Sequence, residues 1–135
     1  MKLVRGQALL ELALCAPVLI LLAVGVAAVV QIEDANEGLD AATHAAASVA
    51  ARAPDPVAAD RAAQARFDAV IVAYPLQRAA LHVSFGSFSR GADLIATAEA
   101  FVDVGWTGLL LPHRLQVRAR AVVELEPWRT HSTAA

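Results

Sequence analysis

A single carboxylate, Glu11, stands one turn inside the most apolar stretch of a 135-residue chain, RGQALLELALCAPVLILLAVGV, residues 5–26. An acid in hydrocarbon is costly and marks function or a partner, whereas at the bilayer edge it is an ordinary interfacial residue; position alone leaves both readings open. The other chemistry-bearing residues are scattered. His44, His82, His113 and His131 fall in different elements, with no Cys, Asp or second His at ligand spacing, so they read as surface or edge residues and not as a metal centre. Glu33, Asp34, Glu37 and Asp40 lack the liganding loop that a hard cation requires and read as a solvated helix face. In FGSFSRG, Phe88 takes the place of the serine of a G-x-S-x-G elbow, and no phosphate-cradling glycine loop exists elsewhere; the segment reads as a hairpin turn. Cys15 is the sole cysteine, so no intrachain disulfide is possible. Leu14 before it and Glu11 in its approach do not fit a lipidation signal, and it reads as a small apolar residue. No motif brings a Ser, a His and an acid together, so neither an enzyme nor a cofactor is expected.

The composition sets the elements that must position these residues. Hydrophobic residues make up 58% of the chain, concentrated in the N-terminal third and in alanine, and the net charge is -2 with no basic face, which argues against a nucleic-acid partner. The length suits one anchored domain. Residues 12–30 form nineteen uncharged positions, the span of a bilayer core at 1.5 Å per residue, and predict a transmembrane helix. Lys2 and Arg5 precede it and no Lys or Arg follows until Arg52, so the positive-inside rule places the N-terminus in the cytoplasm and the rest outside the cytoplasmic membrane. Pro17 and Gly25 are tolerated in such a span, with a bend or local unwinding expected near Pro17.

The helix is expected to continue outside the membrane through residues 31–53, with Ile32, Leu39, Ala46 and Val49 on one face, until Pro54 and Pro56 stop it. A helix over 7–53 would be about 70 Å long. A second helix follows in VAADRAAQARFDAVIVAY, with Asp55 as N-cap and Val57, Ala62, Arg66 or Phe67, Val70 and Ile71 in its periodic pattern. The period then changes to two. Leu81, Val83 and Phe85 alternate in one segment; Ile95, Phe101 and Val104 punctuate a second; Leu115, Val117, Ala119, Ala121, Val123 and Leu125 alternate with polar residues in a third. Trp106 and Trp128 are expected in the sheet core or at its edge. The fold class is therefore α+β: a long N-terminal transmembrane helix extending into a soluble domain (54–128) with a second helix and a three-stranded antiparallel sheet, then a frayed tail over 129–135.

The stretch RGQALLE resembles the cleavage motif of the type IV pilin class, in which a basic leader ends in Gly and a Glu stands fifth in the mature chain. By that resemblance residues 1–6 are the leader, Gly6 its last residue, Gln7 the first mature residue and Glu11 the fifth. More closely, residues 5–26 resemble the start of TadE-like proteins, the minor pilins or pseudopilins of tight-adherence (Flp) pilus systems. The likeness includes the Arg-Gly pair, Glu11, Pro17 and the alanine-rich continuation ATHAAASVAARA. Beyond residue 53 only the α-then-β layout agrees. Leu12 stands where major Flp pilins often carry an aromatic, which with the sheet-forming domain points to a minor subunit.

The resemblance implies a pilin-like fold, processing by a prepilin peptidase, and as partners inner-membrane lipid, the peptidase and other pilin or pilus-assembly subunits. It also gives Glu11 a task. A cut after Gly6 creates an α-amine on Gln7, ordinarily cationic with a pKa of about 7.7 to 8.0, one helical turn before Glu11. Glu11 would offset that charge, complement the helix N-terminus, or pair with the amine of a neighbouring subunit. Two other readings remain: an uncleaved single-span membrane protein with an outer α+β interaction domain, and a secreted protein with an ordinary signal peptide. Glu11 and the continuation of the apolar run through VAAVV fit the last of these poorly.

Overall fold

The computed structural model describes residues 2–89, 91–108 and 110–125, with side chains from Gly6 onward. Helix α1, Lys2–Ala50, is 49 residues long, a rod of about 73 Å at 1.5 Å per residue. It passes through Pro17 without leaving the helical state, so the unwinding expected there does not occur; the proline removes one hydrogen bond from a helix held on both sides by many others. Helicity stops at Ala50, three residues before the expected end. Ala51 still donates to the Ala47 carbonyl, but Arg52 and Ala53 turn more tightly, onto Val49 and Ala50. Pro54 and Pro56 then leave no way to continue.

Asp55 reopens the helical state. Its extended backbone and its carboxylate, which accepts from the Ala58 amide at 2.8 Å, cap helix α2, Pro56–Ile71. Pro56 sits in the first turn, where its missing N–H costs nothing. Ala59, Ala63 and Phe67 are buried at four-residue intervals, with Val70 and Ile71 packed beside them. Val57 and Arg66, both in the sequence pattern, point to solvent, and Phe67 is the large residue that enters the core.

Strands β1 (Leu76–Phe85), β2 (Asp93–Asp103) and β3 (Arg114–Glu124) form an antiparallel sheet in the order β1-β2-β3. β3 follows its alternation: Val117, Ala119 and Ala121 are buried, Leu115 and Val123 half-buried. β2 carries large residues on both parities. Leu94, Ala96, Ala98, Ala100 and Val102 face the helices, while Ile95 and Phe101 lie half-exposed on the outer face. The reason is proximity: α1 lies directly over β2 and β3, and small side chains let an alanine-rich helix approach the sheet.

In β1, Leu76 and Leu81 both turn toward the core although they stand five positions apart, which strict alternation forbids. A bulge resolves this. Register moves from Gln77 opposite Phe101 to Ala80 opposite Glu99, one residue being gained, and Arg78 takes φ 51° at the bulge.

The helices form one layer on one face of the sheet. α2 lies beside α1 and over β1, where Gln64 Nε2 donates to the Leu81 carbonyl at 3.1 Å. The buried stripe of α1 runs through Ala35, Leu39, Ala42, Thr43, Ala46, Ala47 and Ala50 at spacings of three and four. Ile32 packs at its edge, whereas Val49 falls off the stripe and is exposed. Gly38 is required within it, since an added Cβ would overlap the ring of Tyr74. The outer sheet face mixes Ile95, Phe101 and Val122 with polar residues, among them an Arg118–Glu99 ion pair at 3.0 Å and a Gln116–Glu99 hydrogen bond at 3.2 Å.

Candidate processing and assembly segment

Gly6, Gln7 and Glu11 lie on the part of α1 that the domain does not cover, and all three are exposed. Helical geometry pairs the N–H groups of residues 7–10 with the carbonyls of residues 3–6 and puts Glu11 one turn beyond Gln7 on the same face. Gly6 has open space where a Cβ would be and is the weakest helix former of this turn. From here to the end of the apolar run the large side chains stand clear of protein, as Leu9 at 67%, Ile20 at 64% and Val30 at 54% exposure illustrate. Cys15 is exposed on the same surface as a free thiol. The helix is long and apolar enough to cross a membrane, and fits a single-span membrane protein. The side chains of Lys2 and Arg5, on which orientation rests, lie outside the described residues.

Glu33, Asp34, Glu37 and Asp40 are all exposed along α1, whereas the intervening Ala35 and Gly38 are buried. His44, His82 and His113 are exposed on α1, on the outer sheet face and before β3. They are not brought together. Among the described residues no group of three or more His, Cys, Asp or Glu is placed to hold a metal ion. His131 and Trp128 lie outside the described residues. The FGSFSRG segment joins β1 to β2 and contains an edge-to-face pair, Phe85 and Phe88, with centroids 5.5 Å apart.

Trp106 departs from the expectation of a place in the sheet. It sits on a short 3-10 turn, Gly105–Thr107, between β2 and β3 and is 52% exposed. Its indole N–H donates to Gln31 Oε1 at 2.6 Å, and Gln31 Nε2 donates to the Asp103 carbonyl at 3.0 Å. This clamp ties the end of β2 to the first residue after the apolar run. Periodicity gives no sign of it; a Gln directly after nineteen uncharged residues and a Trp between two glycines were the only local signals.

No curated protein and no solved structure is a match to the chain. One family model matches, over residues 6–48, and its description is TadE-like protein. The match begins at Gly6, takes in Glu11 and the bare apolar half of α1, and ends within the alanine stripe two residues before the helix stops. Over residues 6–48, most of its long N-terminal helix, the chain is similar to TadE-like proteins.

Proposed function

We propose that the chain is a minor pilin or pseudopilin of a tight-adherence pilus system, cut by a prepilin peptidase between Gly6 and Gln7 and assembled through the helix that the cut exposes. The supporting observation is that the family match begins at Gly6 and covers a helix whose first half is left largely bare by the described residues. In this reading the N-terminus faces the cytoplasm before processing and the α+β domain lies outside. The role is structural and not enzymatic.

Cleavage changes the physics of the first turn. Removing residues 1–6 removes the carbonyl acceptors of the N–H groups of residues 7–10 and creates a cationic amine among them. Three orphan amide donors, of residues 8–10, and the cationic amine of Gln7 then lie within about a turn of Glu11, which is the arrangement that a carboxylate stabilises best. In a lone helix this pairing is intramolecular. In a bundle of such helices Glu11 can reach the amine of a neighbour, which moves both charges out of hydrocarbon contact and fixes the axial register. The scissile bond lies in helix, so the peptidase must unwind the turn at Gly6, where helix propensity is about 1 kcal/mol poorer than at alanine.

N-terminal sequencing of the mature protein from cells expressing the peptidase tests the cut. A start at Gln7 is expected; an intact Met1 start would favour the uncleaved single-span reading. Glu11→Gln keeps the shape and removes the charge, so it should still be processed yet fall out of the assembled pilus, and normal incorporation would overturn the register role.

A further inference from the structure

We propose that the described part of the connection between β2 and β3, residues 104–108 and 110–113, rests on the bilayer that α1 crosses, with Trp106 in the lipid headgroup layer. This requires that α1 span a bilayer but does not require processing at Gly6. The placement follows from strand direction. α1 leaves its apolar run at residue 31, and β2 runs back toward that point and ends at Asp103, whose carbonyl is held by Gln31. The turn after β2 is therefore fixed at the depth of Gln31. Nineteen uncharged residues span about 28 Å, close to a hydrocarbon core of about 30 Å, so Gln31 falls where the headgroups begin.

Cover of α1 reaches deeper still. Ala28, three residues before Gln31 on the same face and inside the apolar run, is 1% exposed, while Val29 and Val30 beside it remain open. A domain that stood clear of the membrane would leave Ala28 bare. At this level the connection presents Trp106 and Leu110, both more than half exposed, with Leu111 packed against the core behind them. A tryptophan whose N–H is satisfied and whose ring is half exposed suits the interfacial belt. His113 and Arg114 line a shallow open depression with Asp103, Gly105 and Trp106, and supply the donors that lipid phosphates accept. The occupant of this surface is the headgroup layer of the same membrane. Its effect is to fix how deep α1 sits and which way the domain leans.

The test uses the full chain in vesicles of phosphatidylethanolamine and phosphatidylglycerol, with Trp128→Phe leaving Trp106 as the only indole. The expected result is blue-shifted emission, iodide quenching several-fold weaker than for an exposed indole, and stronger quenching by lipids brominated high on the acyl chain than by those brominated near its end. Full iodide access with no lipid quenching overturns the proposal. So does protection from both quenchers, which would mean that protein covers the ring. A reporter at Leu21→Trp, with both native tryptophans changed to Phe, should be quenched most by bromine near the chain ends. If that reporter is also untouched by lipid, α1 does not cross and the docking falls with it; if it alone is quenched, only the docking is wrong. Gln31→Ala should raise iodide access to Trp106 without changing the Leu21 reporter.

Discussion

Residues 6–27 and 28–50 are two halves of one uninterrupted helix, yet they are built from different materials. The first half turns Leu, Ile and Val outward on every side and has almost no protein cover. The second turns Ala, Gly and Thr inward along one stripe, acids outward along another, and is buried under α2 and the sheet. Charge already distinguishes them, since the second half carries Glu33, Asp34, Glu37 and Asp40 where the first carries Glu11 alone. What separates them further is side-chain size and sidedness: large residues all round need a partner all round, whereas a narrow stripe of small residues is shaped for one close neighbour already present in the chain.

The largest expected effect comes from removing equal volumes from the two halves. Leu39 is fully buried between α1 and its cover, so Leu39→Ala should cost the domain about 2–5 kcal/mol through lost burial and the cavity left behind. Leu19 is 60% exposed, and Leu19→Ala should leave domain stability unchanged. Denaturation in detergent, followed by the near-ultraviolet circular dichroism of the domain, gives both values. Equal losses would mean that the bare half packs on the domain after all.

Two glycines sharpen the same contrast. An added methyl at Gly38 meets the Tyr74 ring, but at Gly25 it meets nothing within 4 Å. Gly38→Ala should therefore destabilise the domain by about 1–3 kcal/mol, the usual cost of overpacking. Gly25→Ala should be neutral or slightly favourable in the isolated protein, since the helix gains a better former. If Gly25→Ala instead lowers incorporation into pili, the open side of Gly25 is where a neighbouring subunit approaches.

These contrasts also show what the sequence made legible. The bare half was readable from a run of nineteen uncharged residues, long and apolar enough to cross a membrane. The Asp55 cap and the alternation of β3 were plain as well, each being a local rule with one outcome. The core face of β2 was not. Large residues stand on both parities, Leu94 and Val102 on one and Ile95 and Phe101 on the other, and the alanines face the helices because the partner there is itself alanine-rich, a fact that belongs to the pairing and not to the strand. The bulge at Arg78 was latent in the odd spacing of Leu76 and Leu81, but only once both were known to face inward. The Gln31–Trp106 clamp joins residues 75 apart, and no periodicity reaches that far.

A smaller effect is expected at Asp55, whose carboxylate holds the start of the helix that covers the second half of α1. Asp55→Ala should cost about 1 kcal/mol, as helix N-caps generally do. Hydrogen exchange should quicken first in the opening turns of α2 and leave residues 6–27 as they were. Exchange that quickened equally along the bare half would show that the two halves share one cooperative unit.

The smallest effect concerns a second uncovered surface, the outer face of the sheet, and separates surfaces that await a partner from those that face water. Arg118 and Glu99 pair there with side chains 68% and 48% exposed, so solvent screens them and Arg118→Ala should cost less than about 1 kcal/mol, and less again at high salt. Gln116 also donates to Glu99, so the carboxylate keeps a hydrogen bond when Arg118 is removed. Chemical denaturation at low and at high salt checks both statements. A larger loss, unmoved by salt, would mean that this face is desolvated in the folded protein, and the contrast between a bare helix that requires a partner and a sheet face whose polar residues are already satisfied by water would then fail.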